Sequence, residues 1–338
     1  TLRQVGAGWR VSAHQAEARP ISGRDAVAGH AVALVEGDDA IEATAAPLHG
    51  ALKAQSDRIV GQTVAPLHSY FSLVKGSLVL DLVAAAQTDH LREALSGSDL
   101  ARLPVLSAVA PFKAGGRGGP ENYTDIPVGP VTERHVSDIY LHPNRLVALR
   151  LRGKDLTEWL ERSVSLFHRI EARTQDSPLV DPDFPSFNFD MIFGLTYQVD
   201  LSVPARYDAR GQITDPKARR ITGLLYGGRP VDPQADFVLA TNSYRSSGGS
   251  GFPCCGPDHV LYSSPQSSHE IVRSHISRAG QIGAAPAAAP WRFRPMPGTT
   301  AVLYAAPAAS HHLHEIAAFR PQPLGLSPEG YQRFRLHL

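Results

Sequence analysis

The stretch that most constrains this chain is Thr241-Asn242-Ser243-Tyr244-Arg245-Ser246-Ser247-Gly248-Gly249-Ser250-Gly251-Phe252-Pro253. A short apolar run, Asp236-Phe237-Val238-Leu239-Ala240, leads directly into it and has the composition of a strand buried in a sheet. The apolar pattern then stops, and an aromatic residue, an arginine and three glycines follow. Glycines at this density admit positive φ and let backbone approach a ligand. Polar and aromatic residues at the exit of a buried strand are a common way to build a small-molecule site. Taken alone, the stretch also fits an ordinary glycine-rich turn. A second junction of the same kind shifts the balance. Pro104-Val105-Leu106-Ser107-Ala108-Val109-Ala110 empties into Pro111-Phe112-Lys113-Ala114-Gly115-Gly116-Arg117-Gly118-Gly119-Pro120. Backbone N–H groups beside a guanidinium suit a phosphate or carboxylate. No Gly-Lys-Ser/Thr follows, so this is not a Walker A loop. Two such loops imply one pocket built from two strand ends.

Composition narrows the partner. With 33 Lys plus Arg against 32 Asp plus Glu, the formal net charge is +1, which argues against a nucleic-acid polymer as partner. A small nucleotide needs only a few local cations. With 338 residues and 43% hydrophobic residues the chain can bury a full core. No stretch is long and apolar enough to span a bilayer. The only cysteines, Cys254 and Cys255, are adjacent, which gives neither a zinc spacing nor a disulfide framework and leaves an exposed thiol pair as the expectation. The chain begins at Thr1 without Met and is expected to be a piece of a longer protein.

Along the chain, Leu2–Val5 and Trp9–Ser12 around Gly6-Ala7-Gly8 read as a β-hairpin. A helical stretch is expected from Ser22-Gly23-Arg24-Asp25, with Ala31, Leu34 and Val35 on one face, followed by a second segment carrying Ile41, Leu48 and Leu52. Ile59–Thr63 reads as a strand and Ser77–Leu95 as an amphipathic helix ending before Gly97. Residues 118–135 read as a loop, Ser137–Leu141 and Leu146–Leu151 as strands, and Lys154–Ile170 as a helix with Trp159 in the core. Asp181-Pro182-Asp183-Phe184-Pro185 is excluded from regular structure by its prolines. Phe193–Leu201 and Arg220–Tyr226 read as strands, and Ser267-Ser268-His269-Glu270 has capping-box spacing for a last helix. Residues 283–290 read as a linker, with Trp291–Arg294 and Ala301–Tyr304 returning to the sheet. His311-His312-Leu313-His314-Glu315 is the densest histidine cluster and is expected to lie in a solvated tail, with adventitious metal binding as the other reading.

Two further stretches, Asp138-Ile139-Tyr140-Leu141-His142-Pro143-Asn144 and Asp183-Phe184-Pro185-Ser186-Phe187-Asn188-Phe189-Asp190, complete a set of four motifs with the two glycine loops. With them the sequence resembles the C-terminal domain of the bacterial 5'-nucleotidase family, most closely its branch of periplasmic 2',3'-cyclic-nucleotide 2'-phosphodiesterase/3'-nucleotidases. The likeness covers roughly residues 1 to 305; four motifs in one order are far more specific than one glycine motif. It implies an α+β fold, a mixed β-sheet with packed helices. Residues 1–22 would be a stub of a preceding metallophosphatase domain or a linker, 23–305 a nucleotide-binding domain, and 306–338 a C-terminal tail of unassigned role.

The resemblance also implies a division of labour. The C-terminal domain holds base and ribose, and an N-terminal metallophosphatase domain of the same parent carries a divalent metal pair. None of the metallophosphatase signatures Asp-x-His, Gly-Asn-His-Glu or Gly-His-x-His occurs here, so no cofactor, metal ligand or catalytic residue is assigned to this chain. The fragment is expected to bind a nucleotide or nucleoside in nucleotide catabolism without cutting it; the alternative is a non-catalytic binding module. By the same likeness, Tyr244 takes the place of one base-stacking aromatic and His142 that of the other, where the family usually has Tyr or Phe, so Tyr140 or Phe187 could contribute instead. Arg117 matches an arginine facing the substrate phosphate. Asn144 and Asn188 are candidates for the base edge, and Gly248 and Gly249 for close backbone approach. Ser250 stands where 5'-nucleotidases usually carry an Asp that grips the ribose hydroxyls, and Arg245 is expected to pair with Asp190.

Overall fold

The computed structural model describes residues 1–24, 31–284 and 289–338. Its contacts divide the chain into two units, Thr1–Gln55 and Ser56–Leu338. In the first, Leu2–Val5 and Gly8–Val11 form the expected hairpin. The helical reading from Ser22 is corrected: Ser22–Arg24 and Ala31–Ala33 pair as antiparallel strands, and residues 25–30 lie outside the described residues. Gly23 weakens a helix at that point. The helix begins only at Asp39, where Asp38 Oδ1 accepts the backbone N–H groups of Ala40 and Ile41, and runs to Ser56 with Ile41, Leu48 and Leu52 exposed.

The larger unit is α+β. Its central sheet has the order Met191–Phe193, Val105–Val109, Asp236–Asn242, Arg145–Arg152, Val260–Ser267. Val105–Val109 and Asp236–Asn242 run parallel and the other pairings are antiparallel, so the sheet is mixed. Leu106, Leu149, Val238, Leu239 and Ala240 are fully buried, as the continuous apolar runs require of strands covered on both faces. The helix Leu78–Ala94 packs on this sheet. It starts where Ser77 caps the N–H of Leu80, and its Gln87 accepts from Ser107 Oγ at 2.7 Å. The helix Ser268–Ala279 has the expected capping box: Ser267 Oγ accepts from the N–H of Glu270, whose carboxylate accepts from the N–H of Ser267.

Several local readings are overturned. Residues 118–135 include two short strands, Asp125–Ile126 against Leu67–His68 and Gly129–Thr132 against Ile59–Thr63. Ser137–Leu141 is not a strand. Glu133–Ile139 is a helix, begun where the N–H of Thr132 donates to His135 Nδ1 and held by Val136 and Ile139, both buried at i,i+3 spacing. The helix expected over Lys154–Ile170 is Gly153–Ser163, followed by a 3-10 turn Val164–Leu166. Just past the end of the helix the buried guanidinium of Arg220 takes the carbonyls of Val164 and Phe167 at 3.1 and 2.6 Å; burial pushes the pKa of that guanidinium down to about 10. Phe193–Leu201 divides at Gly194, whose φ of +97° ends one strand and lets Leu195–Val199 start another.

Trp291–Phe293 and Thr300–Ala305 are strands, but neither joins the central sheet. The first pairs with Leu195–Val199, and the second lies between Ser177–Pro178 and Gln332–His337. The linker reading at 283–290 falls partly on residues 285–288, outside the described residues. The residues after 305 are not a solvated tail. A 3-10 run, Pro307–Phe319, leads to the paired strands Gln322–Leu326 and Gln332–His337, with Ala309, Ile316, Phe334 and Leu336 buried. Cys254 and Cys255 are free thiols, half-buried rather than exposed, and burial pushes the pKa of both up to about 12.

Candidate functional site

Strand direction explains where the four motifs meet. Val105–Val109 and Asp236–Asn242 are parallel, so their exit loops leave the same edge of the sheet. Arg145–Arg152 is antiparallel to Asp236–Asn242, with Leu146 opposite Asn242, so the loop 142–145 enters at that edge. Met191 lies opposite Val109, which brings in the loop 184–190. Two ion pairs tie the loops together. Lys113 pairs with Asp138. Arg245, only 3% exposed, donates from Nε and Nη2 to the two carboxylate oxygens of Asp190, both at 3.1 Å. Asp190 also accepts from Trp159 Nε1 at 3.0 Å, and Arg245 Nη2 donates to the carbonyl of Phe187 at 2.6 Å. The Arg245 guanidinium lies 4.2 Å from the Phe252 ring centroid. This is a satisfied, bidentate buried pair, and it carries the loops that bear the aromatic rings.

Between the loops is a cleft of about 260 Å³ lined by Phe112, His142, Asn144, Phe187, Asn242 and Tyr244, with Pro143 and Arg245. Tyr244 and Phe187 are large rings left 46% and 38% exposed. Tyr244 sits on the short helix Ser243–Ser246, capped by Asn242 Oδ1 on the N–H of Arg245. Its hydroxyl is 3.0 Å from Ser250 Oγ. A Cβ at Gly249 would lie 2.7 Å from Cδ1 and Cε1 of the Tyr244 ring and 2.5 Å from the Tyr244 carbonyl oxygen. Position 249 therefore has to be glycine for the ring to stand where it does. His142 is exposed and packs edge-on against Phe112, centroids 5.0 Å apart at 88°. Phe112 rests in the same way on Tyr140.

Of the residues singled out in the sequence, Tyr244, His142 and Asn144 line the cleft, and Ser250 reaches it through the Tyr244 hydroxyl. Gly248 and Gly249 lie in the supporting turn, Gly248 at φ +87°. Arg117 is not among the lining residues; its Nη2 donates to the carbonyl of Asp183 at 2.9 Å. The Arg117 loop is braced from the C-terminal segment, where Tyr331 donates to the carbonyl of Gly116 at 2.7 Å. Asn188 is buried and not among the lining residues, with its Oδ1 unpartnered. Of the two alternative aromatics, Phe187 lines the cleft, whereas Tyr140 is 2% exposed and supports Phe112. Sequence reasoning passed over Phe112 and Asn242 as lining residues, although both stand inside the two strand-exit stretches that pointed to the site.

Gly249→Ala is expected to weaken ligand binding at this cleft, because the added methyl displaces the Tyr244 ring or its backbone. The melting temperature should fall as well, since the methyl also meets the Tyr244 carbonyl on the backbone that carries buried Arg245. Calorimetry beside thermal melts tests this, and unaltered affinity in a folded variant would show that the ring position is not needed.

The sequence matches the family model described as 5'-nucleotidase, C-terminal domain, over residues 59–256. The 2',3'-cyclic-nucleotide 2'-phosphodiesterase/3'-nucleotidase of Salmonella typhimurium is 38% identical over 309 residues, covering 87% of this chain and 46% of that protein. The Haemophilus influenzae protein of the same name is 38% identical over 299 residues, covering 86% of this chain and 44% of its own length. The chain thus spans a little under half the length of these curated relatives. Among solved structures, a 5'-nucleotidase precursor from Thermus thermophilus superposes with a TM-score of 0.54 at 19% identity, covering 75% of this chain and 42% of that one. A putative 5'-nucleotidase from Staphylococcus aureus gives 0.55 at 16% identity, covering 80% and 49%. These two likenesses concern the fold.

Proposed function

Because the chain belongs to the 5'-nucleotidase C-terminal domain family, we propose that it is the substrate-binding part of a metal-dependent 2',3'-cyclic-nucleotide 2'-phosphodiesterase/3'-nucleotidase, a phosphoric ester hydrolase of nucleotide catabolism. The observation that carries this reading is the pair of exposed rings, Tyr244 and Phe187, lining one cleft beside the carboxamides of Asn144 and Asn242. Aromatic faces in a cleft lose little on accepting a planar base and gain roughly 1–3 kcal/mol per stack. The carboxamides supply donors and acceptors for the base edge. His142, leaning on Phe112, adds a smaller aromatic surface. Arg117, exposed on a glycine-rich loop, spends one donor on the carbonyl of Asp183 and is assigned the phosphate group with those that remain.

In this reading the divalent metal pair and the bond-breaking chemistry belong to a metallophosphatase domain of the same parent, and a periplasmic setting follows from the family branch. This chain's own residues bind the nucleoside part and orient the ester. No helix among the described residues is long and apolar enough to cross a membrane.

The purified 338-residue chain is expected to bind adenosine and 3'-AMP in calorimetry. It should not turn over 2',3'-cyclic AMP with added Mn²⁺, whereas the parent protein should. Absence of nucleoside binding would sink the substrate-binding role. Turnover by the isolated chain, abolished by a point change within it, would overturn the division of labour.

A further inference from the structure

We propose that His68, His312 and Glu315 form a site for a divalent transition cation of the zinc class, clipping the segment after residue 306 onto the body of its unit. Each of the three side chains offers one ligand atom, and these atoms all lie within 4.8 Å of one another. His68 comes from the short strand Leu67–His68 and is 5% exposed. His312 and Glu315 come from the 3-10 run Pro307–Phe319, in which His312 departs from helical geometry at φ −117°. His68 Nε2 is 2.7 Å from Glu315 Oε1, and His312 Nδ1 is 3.4 Å from the same oxygen. The two imidazole centroids are 4.3 Å apart.

The geometry and the donor set both select the ion. Zinc bonds of roughly 2.0–2.1 Å at tetrahedral angles hold neighbouring ligand atoms about 3.3 Å apart. The two distances to Oε1 bracket that value and no two ligand atoms are more than 4.8 Å apart, so shifts of at most about 1.5 Å would seat the ion. Two imidazoles and one carboxylate suit zinc, nickel or cobalt, whereas calcium and magnesium take oxygen ligands. Three protein ligands leave a position for water. A cleft of about 530 Å³, lined in part by His68, Glu315, Lys75 and His314, provides the way in. It shares no lining residue with the nucleoside cleft. One group opposes the cation: Lys75 Nζ is 3.1 Å from Glu315 Oε2. Its side chain is 33% exposed and can withdraw into solvent. This inference stands independently of the nucleotide reading.

The test uses the full 338-residue chain stripped with a chelator. Zn²⁺ is titrated by calorimetry, and Co²⁺ is followed by visible absorption, which reports coordination directly. One equivalent of each should bind, and Zn²⁺ should raise the melting temperature. His312→Ala and Glu315→Gln should each weaken binding by at least about tenfold, the lower end of what changing even an outer-shell partner of a metal ligand costs. His312→Ala should remove the Zn²⁺-dependent rise in melting temperature. Lys75→Met should bind Zn²⁺ more tightly, because it deletes a competing cation. If Glu315→Gln fails to fold, His312→Ala decides. Absence of saturable one-to-one binding, binding unchanged in His312→Ala, or weaker binding in Lys75→Met would each overturn the site.

Discussion

Asp190→Ala is expected to destabilise the larger unit by about 3–5 kcal/mol, the usual cost of removing one partner from a buried ion pair. At about 2 °C per kcal/mol for a body of this size, the melting temperature should fall by on the order of 6–10 °C. The magnitude follows from what is left behind. Arg245 is 3% exposed, and two of its donor contacts go to Asp190. Without the carboxylate, a guanidinium stays buried with the Phe187 carbonyl and the faces of Phe252 and Tyr244 as compensation. Trp159, fully buried, loses its acceptor as well. The double change Asp190→Leu with Arg245→Met should recover much of the loss, because it removes both charges and leaves apolar volume. Trp159→Phe, which deletes one donor and keeps the pair, should cost less. Melting curves of the three variants separate these outcomes. A loss below about 1 kcal/mol for Asp190→Ala would mean that the pair behaves as a solvated one.

The same network shows what the sequence could and could not tell. Strands with continuous apolar runs, such as Val105–Val109 and Asp236–Asn242, were legible because burial on both faces leaves a local mark. So was the helix Ser268–Ala279, whose start is written in the spacing of Ser267 and Glu270. The Asp190–Arg245 pair was legible through the motifs that contain it. What failed depended on partners far along the chain. The helix Gly153–Ser163 gives way to a 3-10 turn where Arg220, more than fifty residues on, takes the carbonyls of Val164 and Phe167 just past its end. Ser137–Leu141 has strand-like content, but Val136 and Ile139 face a core that favours a helix. The histidine cluster at 311–315 looked like a solvated tail because His68, its structural neighbour, is 247 positions from Glu315. At the cleft beside Tyr244 and Phe187 the lining residues sit at strand ends, and strand ends are easy to find. The resemblance gives Arg117 to the substrate phosphate and Asn188 to the base edge, while rotamer and loop course decide which residues face a cleft. These turn Arg117 toward the carbonyl of Asp183 and bury Asn188.

Tyr244→Ala is expected to weaken adenosine and 3'-AMP binding roughly 5- to 150-fold, the equivalent of one lost stack of about 1–3 kcal/mol. Tyr244→Phe should be close to neutral for the stack, which depends on the π-face and apolar area and not on the hydroxyl. The hydroxyl has a separate part to play, since it lies 3.0 Å from Ser250 Oγ and steadies the turn Gly249–Gly251. Any small loss in Tyr244→Phe should therefore be matched by Ser250→Ala, and the two should not add, because they remove the same contact. Phe187→Ala is expected to cost affinity of the same order as Tyr244→Ala, since Phe187 is the other large exposed ring of the cleft. His142→Tyr should tighten binding by presenting more aromatic surface on the same Phe112 support. Calorimetry on these variants, each checked for an unchanged melting temperature, separates the alternatives. If Tyr244→Ala binds as tightly as the parent chain while Phe187→Ala does not, the base lies against Phe187 and His142 alone. If neither change matters, the base is held elsewhere and the cleft between the strand ends is not the nucleoside site.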